Sequence, residues 1–342
     1  MSDQFPKELR MPQKVVNGLP LNIVKEEEDD FVGYTNYTTQ PVVLKEYKNI
    51  RLSPESVIYK NGMLVHETVA LGSNIPYYKF RHLVKKYMEG KTIRLDPAKK
   101  YLLITDQGSS GYFHWLCEVL PKLVDLKENS HEFVLLLPDN DFVRKTGKET
   151  IDLLKISFAD IIFMNNNAFY SVPKMYFIPS VSEGGLNGDL LKEINKIYLD
   201  KATPASNRLY ISRRKAAFRK ILNEDDLITV MTSYGFEVIC AEDFSFAEQL
   251  NVFSNANMLM GIHGAGLSNS LLMPQNSTIV ELRKHEGKTS NVAYWHLANA
   301  LNHSYYYFNG APDSSLPLVG RGCNLTIDIK TFEHKLLSKI CG

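Results

Sequence analysis

An excess of charge of either sign is missing from this sequence. Its 39 lysines and arginines stand against 38 aspartates and glutamates, a formal net charge of +1. Without a global basic field there is no electrostatic footprint for nucleic acid, and any anion site must be built locally. Cysteine is scarce as well. Cys117, Cys240, Cys323 and Cys341 form no Cys-x-x-Cys pair and no Cys/His cluster, which argues against a structural zinc site and against a disulfide framework. No apolar run approaches the roughly 20 residues that span a bilayer. The opening MSDQFPKELRMPQK is polar, without the apolar centre of a signal peptide. These absences lead us to expect a cytoplasmic protein with no transmembrane segment and at most a peripheral membrane association. What remains is an ordinary soluble balance, 44% hydrophobic and 23% charged, over 342 residues, which is room for about two domains.

Along the chain, residues 1–45 read as irregular, with an acidic run, KEEEDD at 25–30, expected as a solvated face. Residues 48–70 carry short β-type runs around Asn61-Gly62, a hairpin dipeptide. From residue 101 a regular alternation starts: apolar strands at 101–105, 133–138, 160–164 and 174–179, helical stretches between them, and an amphipathic helix at 188–201. After KATPASN (201–207), which reads as a linker, the cycle restarts. Strands are expected at 208–212, 236–240, 258–262 and 278–282, and helices at 223–234, 245–256, from 266 and at 289–301, before a final strand and helix at 325–340. Strands without polar alternation, separated by helices, form parallel sheets covered on both faces. The expected organisation is an N-terminal extension with a β-hairpin over 1–95, packed on the first domain. A Rossmann-like domain follows over 96–203 and a second over 204–342, its last helix able to return to the first. Ligands in such sheets bind beyond the carboxyl ends of the strands, here expected in a cleft between the domains.

Five stretches carry chemistry. In MLMGIHGAGLSN (258–269), His263 stands at the end of a buried strand, and Gly264, Ala265 and Gly266 open the next helix. Free backbone N–H groups there suit a phosphate, although the same residues serve equally as a tight strand–helix turn. A dinucleotide fingerprint needs G-x-G-x-x-G, whereas Gly261, Gly264 and Gly266 run G-x-x-G-x-G, which disfavours an oxidoreductase. RLYISRRKAAFRK (208–220) sets Arg213, Arg214, Lys215, Arg219 and Lys220 just after a strand. Guanidinium forks match phosphate oxygens, and at most two or three of these five side chains can meet one ligand. Glu242 follows the 236–240 strand, ahead of a capping box formed by Ser245 and Glu248. In STIVEL (277–282), Glu281 stands at or near the end of the 278–282 strand, where a carboxylate can accept ribose hydroxyls. In GSSGYFHWLCEVLPKL (108–123), His114 and Glu118 share one helix face, with Asp106 nearby at a strand end. That is equipment for general base catalysis. Pro121 predicts a kink or an early end to the helix.

In this order, YFHWLCEVLPKL, RLYISRRKAAFRKILNEDDL, the 234–273 stretch and STIVEL resemble family 61 glycosyltransferases, the DUF563 group that includes capsular polysaccharide biosynthesis proteins. The resemblance covers roughly 101–285; the family often has Asn where this chain has Gly111. It implies a GT-B fold of two facing Rossmann-like domains and inversion at the anomeric carbon. It also implies a nucleotide-sugar donor, typically a UDP-sugar, and a glycan acceptor, in capsular or other surface polysaccharide synthesis. Carried over by motif, His263, Gly264, Ala265 and Gly266 line the diphosphate, Arg213 contacts it, and Lys215 and Arg219 stand behind. Glu242 and Glu281 lie near the nucleoside, while His114, Trp115 and Glu118 face the acceptor and donor sugar. The base is His114 or Glu118, with Asp106 in reserve. Metal is not expected, because GT-B enzymes neutralise the leaving group with side chains and helix ends. A noncatalytic nucleotide- or glycan-binding protein on the same scaffold is the alternative.

Overall fold

The computed structural model describes residues 7–70, 72–82, 91–182, 185–200 and 205–342. The chain divides into two compact units, Met1–Gln13 with Thr39–Asn187 and Lys14–Thr38 with Gly188–Gly342. It changes unit three times, whereas the sequence suggests one crossing near 203/204. The first four residues of the expected 201–207 linker lie outside the described residues.

The first unit holds a nine-stranded mixed sheet. Its strands are β1 (Lys7–Arg10), β2 (Val42–Leu52), β3 (Ile58–Lys60), β4 (Met63–Leu64), β5 (Lys91–Arg94), β6 (Lys100–Leu103), β7 (Phe133–Pro138), β8 (Asp160–Met164) and β9 (Ala168–Phe177). The order is β8-β7-β6-β9-β2-β3-β4, with β1 on β2 and β5 on β9. Strands β6 to β9 are parallel, and β2 joins β9 antiparallel through a long register from Tyr170↔Leu52 to Phe177↔Lys45. The expected separate β appendage is therefore part of the main sheet, because β9 offers an edge that β2 completes. The hairpin forms where Asn61-Gly62 predicts it: both residues take positive φ, 51° and 75°, as a type I′ turn demands. The helix over 112–124 does not stop at Pro121. A wider turn at Trp115–Val119, with Leu120 N–H bonded to Trp115 O at 3.0 Å, admits a residue that has no N–H and whose ring would strike the carbonyl four residues back.

The second unit is a five-stranded parallel sheet: β10 (Asn207–Ile211), β11 (Phe236–Ile239), β12 (Ala256–Ile262), β13 (Thr278–Arg283) and β14 (Ser304–Asn309), in the order β11-β10-β12-β13-β14. This is a doubly wound arrangement whose direction of winding reverses between β10 and β12. One face packs Tyr210, Met258, Met260, Val280 and Leu282 against Leu227 and Met231 and against Phe332, Leu336 and Leu337 of the last helical segment. That segment therefore stays in the second unit rather than returning to the first. The expected helix from 266 is a tight 3-10 run, Ala265–Leu272.

The acidic run at 25–30 is not simply a solvated face. Asp30 is fully buried, with its Oδ1 2.9 Å from His285 Nδ1 and its Oδ2 3.4 Å from Arg283 Nη2. The Arg283 guanidinium lies 4.7 Å from the centre of the Phe31 ring, which packs edge-on against Trp295. Leu21 N–H and the Asn22 side chain bond the backbone of β14, and this covers the sheet's free edge. These contacts are why residues 14–38 belong to the second unit. Replacing Asp30 by Asn removes one of the two buried carboxylates that act on Arg283, Glu281 being the other, and should cost about 1–3 kcal/mol, read by urea unfolding. A second expectation concerns acid. Burial holds His296 and His303 down at about 4, against an ordinary 6.5. The unfolded chain takes up these protons first, so stability should be full above pH 6.5 and fall as the pH drops toward 4, by roughly 3 kcal/mol per histidine. A melting temperature that is flat over that window would contradict it.

Candidate functional site

In the second unit, the carboxyl ends of β10 and β12 diverge at the reversal point, where doubly wound sheets bind ligands. Arg213 leaves the first and His263 the second. The glycines between them are there for room. A Cβ on Gly264 would lie 2.8 Å from Arg213 Nη1, and one on Gly266 3.0 Å from Ile211 Cγ2. Gly264 itself has extended backbone, φ 170°. The turn thus lets the Arg213 guanidinium lie flat against it.

The 213–219 loop folds back on this arginine. Arg213 Nε donates to Arg219 O at 3.1 Å and Nη2 to Phe218 O at 3.2 Å, while Arg219 Nη1 donates to His263 O at 3.1 Å. Arg219 sits at φ 58°, a strained conformation for a side-chain-bearing residue. Its Nε is buried without a hydrogen-bond partner. Burial lowers the proton affinity of Arg213, and the like charge of Arg219 adds to this. Among the described residues neither arginine forms an ion pair with a carboxylate. The other cations are occupied elsewhere: Lys215 pairs with Asp243, Arg214 Nε donates to Ser212 Oγ at 3.1 Å, and Lys220 Nζ donates to Arg214 O at 3.1 Å. Two cations of the five thus meet at the Gly264 turn, Arg213 and Arg219.

Glu281 is placed differently from its expected ribose contact. Strand alternation turns it away from Val280 and Leu282, and it is fully buried. One carboxylate oxygen accepts from His263 Nδ1 at 2.5 Å, the other from Tyr305 Oη at 2.6 Å. Burial pushes this carboxyl up, but His263, Arg283 and the Tyr305 hydroxyl more than offset it and lower its pKa overall. Both oxygens are used, so Glu281 orients His263 and leaves the other ring nitrogen, Nε2, for a ligand. Glu242 is exposed at the start of the short turn after β11. The capping box of Ser245 and Glu248 is present as expected.

In the first unit, a cavity of about 750 Å³ opens at the carboxyl ends of β6 and β9. These two strands again mark a winding reversal. Asp106, Gln107 and Gly108 follow β6 into it, His114, Glu118 and Lys122 enter from the helix, and His66 and Glu67 face them. His114 Nδ1 and Glu118 Oε2 are 2.7 Å apart. That hydrogen bond raises the proton affinity of His114 above the imidazole norm; burial opposes it and the charges of Glu118 and Asp106 add to it. Asp106 Oδ1 accepts from Gly108 N–H at 2.8 Å and Ser109 Oγ at 3.1 Å, which ties down the loop. Trp115 is not a sugar contact in this structure. It is fully buried, with Nε1 donating to Thr150 Oγ1 at 2.8 Å, because one residue along a helix turns the side chain about 100° away from His114.

Lys122 was not singled out from the sequence. Its signal was there, since 114, 118 and 122 repeat every fourth residue and are the polar positions of an otherwise apolar helix. Among the described residues no group of three or more His, Cys, Asp or Glu is placed to hold a metal ion, and no helix is long and apolar enough to cross a membrane.

Comparison with known proteins adds a family match and a set of relatives. Residues 112–280 match the family model described as Glycosyltransferase 61. The resemblance read from the sequence agrees with that match, which covers just under half of the chain. Among curated proteins the chain is similar to the EGF domain-specific O-linked N-acetylglucosamine transferase of Xenopus laevis. The two are 30% identical over 151 residues, 40% of this chain and 28% of that protein. The same-named protein of Pan troglodytes is 24% identical over 214 residues, 60% of this chain and 38% of its own length. The one from Drosophila melanogaster is 29% identical over 124 residues, 33% and 22%. The chain thus spans well under half the length of these relatives. Family and relatives together support glycosyl transfer.

The His114–Glu118 pair has a direct readout. Followed by NMR, the His114 imidazole should titrate above 6.5, and Glu118→Gln should bring it down. A titration that ignores the substitution would mean that the pair is not formed.

Proposed function

We propose that this protein is an inverting glycosyltransferase of the GT-B type that moves a sugar from a nucleotide-sugar donor, a UDP-sugar, to a hydroxyl of a glycan. The observation that carries the reading is the pair Arg213 and Arg219, set against the Gly264 turn at the reversal point of a doubly wound sheet and lacking a carboxylate partner. Two cations held together with no carboxylate in ion-pair contact, Glu242 acting on Arg213 only at longer range, are costly unless an anion completes them, and a diphosphate supplies that charge. The N–H groups that open the 265–272 run and His263 Nε2 face the same need. In this reading Lys215 and Glu242 sit further out, toward the sugar or nucleoside. Glu281 serves through His263.

In the reaction, His114 takes the proton of the acceptor hydroxyl, with Glu118 holding the imidazolium that forms. Asp106 and Glu118 are the reserve bases. The oxygen attacks the anomeric carbon, and the bond to the phosphate oxygen breaks. The departing nucleoside diphosphate keeps that electron pair and is stabilised by Arg213 and Arg219. Side chains carry this neutralisation, and the proposal therefore includes no metal. The named relatives act with N-acetylglucosamine, which makes UDP-N-acetylglucosamine the first donor to test. A cytoplasmic location and a surface-polysaccharide acceptor belong to the same proposal.

Calorimetric titration with UDP and UDP-sugars, followed by transfer to acceptor glycans, tests it. Arg213→Ala should weaken UDP binding by about 10- to 100-fold, the usual worth of one charge-assisted contact, and remove most turnover with the fold intact. Unchanged affinity would refute the diphosphate site. His114→Ala should retain donor binding and lose transfer. Binding without transfer to any acceptor would favour the noncatalytic alternative.

A further inference from the structure

Among the described residues that line the first unit's cavity, the carboxylates are Glu67, Asp106 and Glu118, and the one lysine is Lys122. Glu67 is committed to Lys45 and Tyr47, one oxygen to each. Asp106 uses Oδ1 alone, for Gly108 N–H and Ser109 Oγ, and Glu118 uses Oε2 alone, for His114 Nδ1. Asp106 Oδ2 and Glu118 Oε1 therefore have no hydrogen-bond partner among the described residues, and the Glu118 side chain keeps 22% of its surface exposed. Lys122 is the reverse. It is 1% exposed, and its Nζ donates to Ile104 O at 2.9 Å, which keeps its charge behind the wall. Gln107 has no donor to spare either. Its Nε2 donates to Glu55 O at 3.0 Å and Thr68 O at 2.9 Å, and its Oε1 accepts from Ala70 N–H at 2.8 Å. Of the two imidazoles, His114 is turned to Glu118 and His66 stands on the facing wall, beside Glu67 in the chain. Val69, Ala70 and Phe177 add apolar surface.

A carboxylate oxygen without a donor is completed by a hydroxyl, which gives it a charge-assisted hydrogen bond. A carboxylate, sulfate or phosphate on the ligand has no hydrogen to give there, and it meets like charge with no lysine or arginine in reach among the described residues. We propose that this cavity takes an acceptor sugar without acidic groups, whose hydroxyls donate to Asp106 Oδ2 and Glu118 Oε1 while its C–H faces rest on Val69 and Ala70. An acceptor that brings an acidic group into the cavity is rejected. The inference rests on the reading of this cavity as the acceptor side of a transferase and adds which sugars that side accepts.

Matched methyl glycosides that differ only at C6 test it, the glucoside, galactoside and mannoside each against its uronic acid. They are titrated into the full chain, with the His114 ring resonance, assigned by its loss in His114→Ala, as the reporter of binding in the cavity. The neutral member of at least one pair should shift that resonance, and its acid should bind at least about 10-fold more weakly. The gap should narrow as salt is raised. In Asp106→Asn the acid should gain on its neutral partner; if that variant does not fold, Glu118→Gln carries the same comparison. An acid that binds as tightly as its neutral partner, or a ratio that neither variant changes, overturns the proposal. If acids shift His114 as well as neutral sugars do, the acceptor reading of the cavity stands and this inference alone fails. If no glycoside of either kind reaches His114, both fail together.

Discussion

The close approach of the Arg213 guanidinium to Gly264 organises the carboxyl ends of β10 and β12. It is possible only because a position that would elsewhere carry a Cβ carries none: 2.8 Å leaves no space for one. Arg213 also ties the loop that carries Arg219, and Arg219 in turn donates to the His263 carbonyl. Behind it, Glu281 holds the His263 ring in a single orientation. A row of side chains from three adjacent strands is thus held in one arrangement by the protein's own contacts.

The two units use one device twice. Each has a run of parallel strands in which the winding reverses, and each places its polar residues just beyond the carboxyl ends at that reversal. In the first unit the residues are anionic and basic, Asp106, Glu118 and His114 around a cavity. In the second they are cationic, Arg213 and Arg219. In the second unit the fully buried Glu281 lies behind His263.

Buried charge recurs at the second unit's margin. Asp30, Arg283 and His285 form a cluster under Phe31, and this makes residues 14–38 a structural part of that unit. In sequence these residues read as a solvated acidic run, because composition reports how many charges there are and says nothing of which one turns inward. Only Asp30 is buried; its neighbours Glu26, Glu28 and Asp29 remain exposed.

Much of the architecture was legible in the chain itself. Runs such as FVLLLP and MLMGI have no polar alternation, and this marks strands covered on both faces; Asn61-Gly62 states its turn because few residues accept positive φ in succession. The family signature, the His114–Glu118 spacing and the capping box of Ser245 are local, set by residues a few positions apart. What local spacing does not encode is which side of an element meets which neighbour. Trp115 and Glu281 both lie in the right stretch, yet the helix turns one into the core and the strand's alternation seals the other against Tyr305. Lys122 became meaningful only once β6 lay beside its helix, and the merging of the N-terminal strands into one sheet depended on an edge that β9 offers. Those outcomes are decided by contacts between residues far apart in the chain, where burial and charge are set by the assembled fold.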